Sequence, residues 1–192
     1  MSNINRRLGL AFVHIPKTGG VAVCESLGLA IRGHQRLSEM RRFRRRYFSF
    51  CFVRNPWDRM VSAYSYFRAG GRGHRNDIKT MRVVRESSTF PEFCSRLEDP
   101  EFKRRLERCR SPHFLPQVHW HDPRIKLVGR FDNFAEDFKE VCTQVGLPDT
   151  ELLVRNTSEH LPYPEYYTES AAQIVERVYK EDIEKYNYKF GD

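Results

Sequence analysis

The chain has 192 residues, 40% of them hydrophobic and 13% aromatic, which excludes an intrinsically disordered chain and predicts one domain with a buried core. No apolar stretch reaches the roughly 20 residues that a membrane-spanning helix needs, so no membrane span is expected. The formal net charge of +8 and the pI of about 9.4 predict an anionic partner: nucleic acid, an acidic membrane, a phosphorylated cofactor or an acidic glycan.

The amino-terminal segment and the cysteines bear on the compartment. The apolar run LGLAFV over 8–13 is shorter than the roughly 7–15 residues of a secretory signal. The five cysteines are scattered and form no C-x-x-C pair. Together these observations predict a cytoplasmic protein whose thiols are free and buried.

The first third of the chain alternates predicted strands and helices. The apolar run LGLAFVH over 8–14 is typical of a buried strand, and the pattern after it predicts a helix over 18–29. The aromatic run RYFSFCFV over 46–53 predicts a second buried strand, and Pro56 is placed to begin a helix that continues over 57–67. This order of strand, helix and strand predicts a parallel sheet with crossover helices.

The rest of the chain mixes a polar segment with further elements. Residues 70–88 are polar and rich in glycine and arginine, which predicts a mobile loop or lid, and short helical patterns follow over 90–110. A third strand is predicted over 125–131. Asn133 and Glu136 fit a helix start, after which Phe138, Val141 and Cys142 lie on one helical face. The last predicted helix runs over 170–186.

The stretch HIPKTGG over 14–20 contains the parts of a phosphate-binding loop in an unusual order. The common nucleotide loop reads G-x-x-x-x-G-K-[ST], whereas here the lysine and threonine precede the glycines. Lys17 supplies a charge, Thr18 supplies a hydroxyl and an N–H, and Gly19 and Gly20 allow an anion to approach the backbone. The stretch predicts an anion site between strand and helix; a tight turn with an exposed lysine is the alternative.

A second stretch, FVRNPWDRMVSAYSYF over 52–67, has a similar character. Arg54 stands at the carboxyl end of a predicted strand, where open α/β sheets bind ligands. Ser62 follows eight residues later on the adjacent predicted helix. An arginine and a hydroxyl so placed can hold a phosphate together, and a structural ion pair of Arg54 with Asp58 is the alternative.

The two stretches together resemble the paired motifs of the sulfotransferases, in particular of the carbohydrate sulfotransferase type. The resemblance continues in GRFDNFAEDF over 129–138 and through 154–190, so it covers most of the chain. It implies an α/β, three-layer, P-loop-like fold in which a central, mainly parallel β-sheet is flanked by helices, as a single sulfotransferase domain over 1–192.

The resemblance also implies a donor and its contacts. The donor is 3′-phosphoadenosine 5′-phosphosulfate (PAPS), and no metal is required. The family's first loop holds the 5′-phosphosulfate, and the arginine and serine of its second motif hold the 3′-phosphate. Carried over by position, the 5′ contacts are Pro16, Lys17, Thr18, Gly19, Gly20 and Val21, and the 3′ contacts are Arg54 and Ser62, with Arg155, Thr157 and Ser158 in a loop that closes over that end. Val21 stands where the family usually has Thr or Ser.

Sulfuryl transfer, like phosphoryl transfer, depends mostly on positioning and on stabilising charge at the leaving phosphate oxygen. Lys17 is suited to that charge, and a histidine is the first candidate for the general base. Among seven histidines, His34 in RGHQRL matches the position where heparan 2-O-sulfotransferase-like members carry a catalytic histidine. The alternative for His34 is an exposed loop histidine. His14 is expected to pack, and His74 is expected to lie in the lid, from which it could reach substrate.

Three further segments allow other interpretations. HWHD over 119–122 resembles a pair of metal ligands, but no third ligand stands at a familiar spacing, so no metal is expected. FLPQVHW over 114–120 lines the acceptor site or packs in the core. The arginine run over 41–48 suggests a non-catalytic nucleic-acid-binding protein, which is the non-enzymatic alternative. No nucleic-acid-binding motif accompanies the run.

A nucleotide-binding P-loop-type kinase is the enzymatic alternative, but the loop order and the absence of an acidic Mg²⁺ motif oppose it. A sulfotransferase-like chain that binds a nucleotide without catalysing transfer is the third alternative function. The expected acceptor is a hydroxyl of a carbohydrate or small metabolite, and the oligomeric state is not predicted.

Overall fold

The computed structural model describes residues 3–31, 33–40, 43–153 and 161–192 of the chain. The backbone separates into two compact units, the first comprising Met1–Arg54 and Gln117–Thr157 and the second comprising Asn55–Pro116 and Ser158–Asp192. The single domain over 1–192 therefore stays a prediction. None of the helices in the described ranges is long and apolar enough to span a lipid bilayer.

The first unit contains a four-stranded sheet in the order β1-β2-β3-β4. Its strands are β1 (Ile4–Asn5), β2 (Leu10–Val13), β3 (Phe48–Val53) and β4 (Leu127–Arg130). β2 pairs with β3 and β3 with β4 in parallel, whereas β1 pairs with β2 antiparallel, so the predicted mainly parallel sheet is confirmed. The sequence pattern does not predict β1, because two residues are too few to show an alternation.

The described residues form eight α-helices: α1 (Gly20–Ser26), α2 (Pro56–Arg68), α3 (Arg75–Val84), α4 (Phe90–Arg96), α5 (Pro100–Arg108), α6 (Phe134–Gln144), α7 (Glu169–Val178) and α8 (Lys180–Tyr186). α1 and α6 belong to the first unit, and the others belong to the second. Short 3-10 turns connect several of them, among them Gln117–Trp120 in the first unit.

α1 and α6 pack on the sheet of the first unit. The side chains of a strand alternate between its two faces, so every second strand residue points toward these helices. The shared core consists of Leu10, Phe12, Phe50 and Phe52 from the strands and Val23, Cys24, Leu27, Phe138, Val141 and Cys142 from the helical segments. The predicted helical face of Phe138, Val141 and Cys142 is thus confirmed, while the three-layer, P-loop-like arrangement stays a prediction.

The second unit is built around α2 and a set of buried aromatic side chains. Pro56 is the first residue of α2, as predicted, and the Asn55 side chain caps the helix by accepting a hydrogen bond from the Trp57 amide at 3.1 Å. The Trp57 indole N–H donates to the carbonyl of Ala172 on α7 at 2.9 Å, which ties the two helices together. Phe67, also on α2, is fully buried, and its ring centroid lies 5.6 Å from that of Phe114.

The segment over 70–88, predicted as a mobile loop, contains the helix α3, so residues 75–84 are helical rather than a loop. Asp77 anchors the helix, because its carboxylate accepts from the Tyr66 hydroxyl at 2.7 Å and from the Arg72 amide at 3.0 Å. The sequence pattern conceals this helix since its anchoring contact is polar and its composition resembles a loop. The mobility of the segment stays a prediction.

The last predicted helix and the start of α6 also differ from expectation. The predicted helix over 170–186 is in fact α7 and α8, which meet at Tyr179 with φ −112° and ψ 24°. The Tyr179 ring is buried, and its hydroxyl donates to the Phe114 carbonyl at 2.7 Å. Asn133 precedes α6 as predicted but does not cap it; its amide instead donates to the Asp137 carboxylate at 2.8 Å.

All five cysteines are free and buried, in agreement with the sequence. Burial raises the pKa of the Cys24, Cys51 and Cys94 thiols to about 12. These thiols are therefore protonated at neutral pH and supply no thiolate nucleophile.

Arg59 on α2 provides a test of the packing in the second unit. The residue is 2% exposed, and its guanidinium donates to the His113 and Leu115 carbonyls at 3.1 and 2.6 Å. Arg59→Met keeps the apolar stem but leaves both carbonyls without this donor, so we expect a loss of about 2–4 kcal/mol in the free energy of unfolding, measured in urea.

The matched control is Arg82→Met, because Arg82 is exposed on α3 and its side chain forms no hydrogen bond with the described residues. This variant should stay within about 0.5 kcal/mol of the parent. Equal stabilities of the two variants would contradict the structural role of Arg59.

Candidate functional site

The loop over 14–20 joins the carboxyl end of β2 to the start of α1. Lys17 and Gly19 both adopt left-handed backbone conformations, with φ 67° and φ 78°. Thr18 is fully buried, and its hydroxyl donates to the Ile15 carbonyl at 3.0 Å, which closes the turn. The first turn of a helix leaves its N–H groups without intrahelical acceptors, and Gly20 and Val21 are the first two residues of α1. Left-handed residues followed by the first turn of a helix are typical of anion-binding loops, and the anion site itself stays a prediction.

Gly19 is required by two independent constraints. Its positive φ strains any other residue. A Cβ atom at this position would also overlap the Phe134 ring and come within 3.1 Å of the Phe131 ring. Two aromatic rings, themselves 5.2 Å apart, thus lie directly against the loop backbone.

Gly20 is required by the side chain of His14. A Cβ atom on Gly20 would overlap the imidazole ring, so the histidine occupies the space that a side chain would fill. His14 is 5% exposed and stacks on Phe12 with ring centroids 5.5 Å apart, which agrees with the expectation that it packs. The first and last residues of the loop therefore contact each other.

His34 is held beside this loop by backbone contacts. Its Nδ1 lies 2.9 Å from the His14 carbonyl, and its own carbonyl accepts from the Trp120 indole N–H at 2.8 Å. The two imidazole rings are 4.5 Å apart. A carbonyl oxygen can only accept, so Nδ1 carries the hydrogen in this contact. In the neutral ring the lone pair is then on Nε2, which can accept a proton.

Arg54 follows the last residue of β3 and is 8% exposed. The fully buried Gln117 side chain forms two hydrogen bonds with its backbone, accepting from the Arg54 amide at 2.9 Å and donating to its carbonyl at 2.8 Å. The guanidinium donates to the Lys17 carbonyl at 3.3 Å and lies over the Phe131 ring at 4.3 Å. The two predicted anion motifs therefore contact each other.

The remaining predicted cofactor residues are distributed as follows. Pro16 is buried in the loop, and Val21 is half-buried as the second residue of α1. Ser62 lies on α2 of the second unit and is 6% exposed. Arg155, Thr157 and Ser158 lie outside the described residues, so their assignment, like that of Ser62, stays a prediction.

Three residues that support this site have no assigned role in the sequence analysis: Gln117, Trp120 and Phe131. Gln117 and Trp120 stand in FLPQVHW, which the sequence could assign only to the core or to an acceptor site. Both are buried, and both hold a candidate site residue through its backbone. A polar glutamine inside an apolar run was the available signal, since buried amides are retained where they are hydrogen-bonded.

Among the described residues, HWHD is not part of a metal-ligand group, and the expectation that no metal is needed stays a prediction. Within the described ranges, no three His, Cys, Asp or Glu side chains are grouped so that they could hold a metal ion. The Asp122 carboxylate accepts from the Arg124 guanidinium at 2.8 and 2.6 Å, which lowers the pKa of Asp122. The pKa of His119 is lowered, mainly by burial and to a smaller extent by the nearby Arg36 charge.

Comparison with known proteins identifies the family. The model of the sulfotransferase family matches residues 23–189, so the chain belongs to that family. The matched region begins just after the 14–20 loop and includes Arg54.

Two relatives are similar in sequence to parts of this chain. Carbohydrate sulfotransferase 14 of Danio rerio is 27% identical over 146 residues, which cover 68% of this chain and 36% of that protein. An uncharacterized protein of Archaeoglobus fulgidus is 27% identical over 109 residues, or 57% of this chain and 75% of the relative. The chain thus spans about a third of the length of the Danio rerio protein. No solved structure matches the chain significantly.

Because Gly20 lies against His14, we expect Gly20→Ala to destabilise the protein, although a change from glycine to alanine in a helix usually stabilises it. Helix propensity alone predicts that Gly20→Ala stabilises the protein by up to about 1 kcal/mol. Overlap with the imidazole predicts a loss of about 1–3 kcal/mol instead, which we expect in urea unfolding.

A double variant tests the cause. In a protein that already carries His14→Ala, the overlapping ring is absent. Adding Gly20→Ala to that protein should therefore lower the free energy of unfolding much less than Gly20→Ala does in the parent. Strictly additive effects of the two substitutions would mean that the ring does not limit the loop.

Proposed function

We propose that this protein is a sulfotransferase that uses PAPS as donor and transfers the sulfuryl group to a hydroxyl of a carbohydrate or small metabolite. Membership of the sulfotransferase family supports the reaction class. The observation that carries the proposal is the contact between the Arg54 guanidinium and the Lys17 carbonyl, because it joins two cationic motifs from distant parts of the sequence. A dianionic phosphate or phosphosulfate is the chemistry that such a pair recognises.

The residues of the first unit fit the donor. Lys17 offers an ammonium, Arg54 a planar fork of N–H donors, and Gly20 and Val21 backbone amides. PAPS, when bound, supplies the sulfuryl group and a phosphate that carries negative charge as it leaves. Val21 has no hydroxyl where the family usually has one, so its contribution in this chain is limited to its backbone N–H.

The same residues divide the chemistry between them. Lys17 stabilises negative charge at the leaving phosphate, and Arg54 holds a phosphate of the donor in place. His34 accepts the proton of the acceptor hydroxyl on Nε2, because Nδ1 already donates to the His14 carbonyl. That hydrogen bond persists in the protonated ring and stabilises it, which makes the His14 backbone part of the support for the base.

The acceptor class is proposed from the kind of relative that the chain resembles. The Danio rerio relative is a carbohydrate sulfotransferase, so a sugar hydroxyl is the first acceptor to test. The basic net charge of +8 favours a sugar that already carries acidic groups.

Donor binding is tested by thermal and urea unfolding in the presence of 3′-phosphoadenosine 5′-phosphate (PAP), the product nucleotide. At about a hundred times its Kd, PAP should add roughly 2.7 kcal/mol to the free energy of unfolding. Arg54→Met should lose most of this gain, because the guanidinium that holds a phosphate is gone.

Arg45→Met is the matched control, since Arg45 is an exposed arginine outside the loop. It should keep the full stabilisation by PAP. AMP and ATP with Mg²⁺ serve as control nucleotides. Stabilisation by ATP with Mg²⁺ but not by PAP would replace the proposed function with a kinase.

The base is tested by His34→Asn. The asparagine amide can still donate to the His14 carbonyl, but no group remains at the position of Nε2. We expect turnover to fall about 10²–10⁴-fold while the Kd for PAP stays within twofold of the parent, as general-base catalysis predicts. The decline of turnover toward low pH, which reports protonation of the base, should disappear with it.

His121→Ala provides the comparison, because His121 is exposed and has no role in the proposed transfer, and it should keep both turnover and pH profile. A His34→Asn enzyme with unchanged turnover would remove His34 from the mechanism and leave donor binding untouched.

A further inference from the structure

A second group of cations lies at the opposite edge of the sheet from the 14–20 loop. A cavity of about 690 Å³ opens there at the amino-terminal ends of the parallel strands. Its lining includes Arg6 and Arg7 before β2, Arg46 before β3 and Lys126 before β4. We refer to it as the amino-edge pocket.

Backbone pairing brings these separate segments together. The Asn5 side chain accepts from the Arg7 and Leu8 amides, each at 3.1 Å, and so fixes the turn that carries the first two arginines. The Phe48 amide donates to the Gly9 carbonyl at 2.8 Å, which sets the start of β3 beside that turn. The Lys126 amide donates to the Ser49 carbonyl at 2.8 Å. The four cations therefore converge because of the sheet register.

The described residues neutralise little of the positive charge of the pocket. Among the described residues, the side chains of Arg6, Arg7, Arg46 and Lys126 form no ion pair with a carboxylate. Among the described residues that line the pocket, Glu140 is the one acidic side chain, and it accepts from the Gln144 amide at 2.8 Å.

Other arginines of the same unit are different. Arg36 pairs with Glu39 at 3.1 Å, Arg124 with Asp122 at 2.6 Å and Arg130 with Asp132 at 3.4 Å. Unpaired cations of like charge repel one another when they converge, so an anionic ligand would relieve the repulsion.

The lining indicates which anion fits. The volume is within the ~300–1,000 Å³ range of ligand pockets, so the open cavity has room for a few sugar units. Glu140 and Gln144 are exposed and offer hydrogen-bonding groups for hydroxyls. The two aromatic side chains of the lining are Tyr47, which is only 6% exposed, and Phe48, which is half-buried and stacks on Phe50 with ring centroids 6.2 Å apart. Both rings are packed into the protein, which disfavours stacking of a nucleic-acid base.

We propose that the amino-edge pocket binds an oligosaccharide that carries sulfate or carboxylate groups, at a site separate from the 14–20 loop. β2 runs between the two sites, and its four residues span about 13 Å at the usual rise per residue. The pocket therefore serves to dock an acidic glycan and takes no part in group transfer. The proposal does not rest on the proposed function.

The experiment measures binding of a sulfated tetrasaccharide to the full chain by titration calorimetry at low salt. The double variant Arg6→Gln/Arg46→Gln removes two pocket charges, and we expect its Kd to rise by about tenfold or more, since charge-assisted hydrogen bonds are lost. The matched control is Arg44→Gln/Arg45→Gln, which removes two neighbouring exposed arginines that do not line the pocket. Its Kd should stay within about threefold of the parent, the loss expected from long-range charge alone.

Each contrary result has a distinct meaning. Equal weakening in the two double variants would show diffuse attraction to a basic surface and overturn the pocket. Absence of binding by the parent protein would overturn it outright. An oligonucleotide of equal charge that binds more tightly would assign the surface to nucleic acid, and displacement of the tetrasaccharide by equimolar inorganic sulfate would reduce it to a simple-ion site.

A second readout separates this proposal from the donor site. Stabilisation by PAP should be the same in Arg6→Gln/Arg46→Gln as in the parent, because Lys17 and Arg54 are unchanged. Loss of tetrasaccharide binding with retained PAP stabilisation supports two separate sites, whereas loss of both would show that the cations act on one shared ligand and would overturn the proposal.

Discussion

Parallel hydrogen bonding between β2 and β3 determines where the candidate site residues of the first unit lie. The register pairs Leu10 with Phe48 and Val13 with Cys51, so the two strands end at the same edge of the sheet. The chain leaves β2 into the Lys17 loop and leaves β3 at Arg54, which explains why two motifs separated by more than thirty positions contact each other. Without this register, the loop would be an isolated turn with a lysine.

Packing around glycine then defines the shape of the loop. Gly19 lies against the Phe131 and Phe134 rings, and Gly20 leaves the space that the His14 ring fills. Because these neighbours are rings packed in the core, the loop backbone has little freedom to relax. The same ring of His14 lies beside His34, so the geometry of the proposed base depends on a residue that touches no substrate in our scheme.

The basic charge of the first unit is divided between the two edges of one sheet. At the carboxyl edge, the Arg54 guanidinium contacts the Lys17 backbone carbonyl and lies over the Phe131 ring, and this is where we propose that the donor binds. At the amino edge, Arg6, Arg7, Arg46 and Lys126 surround a wider and more exposed cavity. Net charge alone would treat all of these as one basic surface, whereas the sheet separates them into two environments.

The sequence by itself determined the strand, turn and helix order and the parallel sheet, and it predicted the two anion motifs, because each depends on local pattern and on residue types within one short segment. It also led to Lys17, Arg54 and His34 as candidates. Only the tertiary structure decided that Gln117, 63 positions from Arg54, holds its backbone, and that His34 Nδ1 contacts the His14 carbonyl 20 positions away. It also revealed α3 within a polar segment and the amino-edge pocket. Such contacts depend on strand register and side-chain packing, which no local pattern contains.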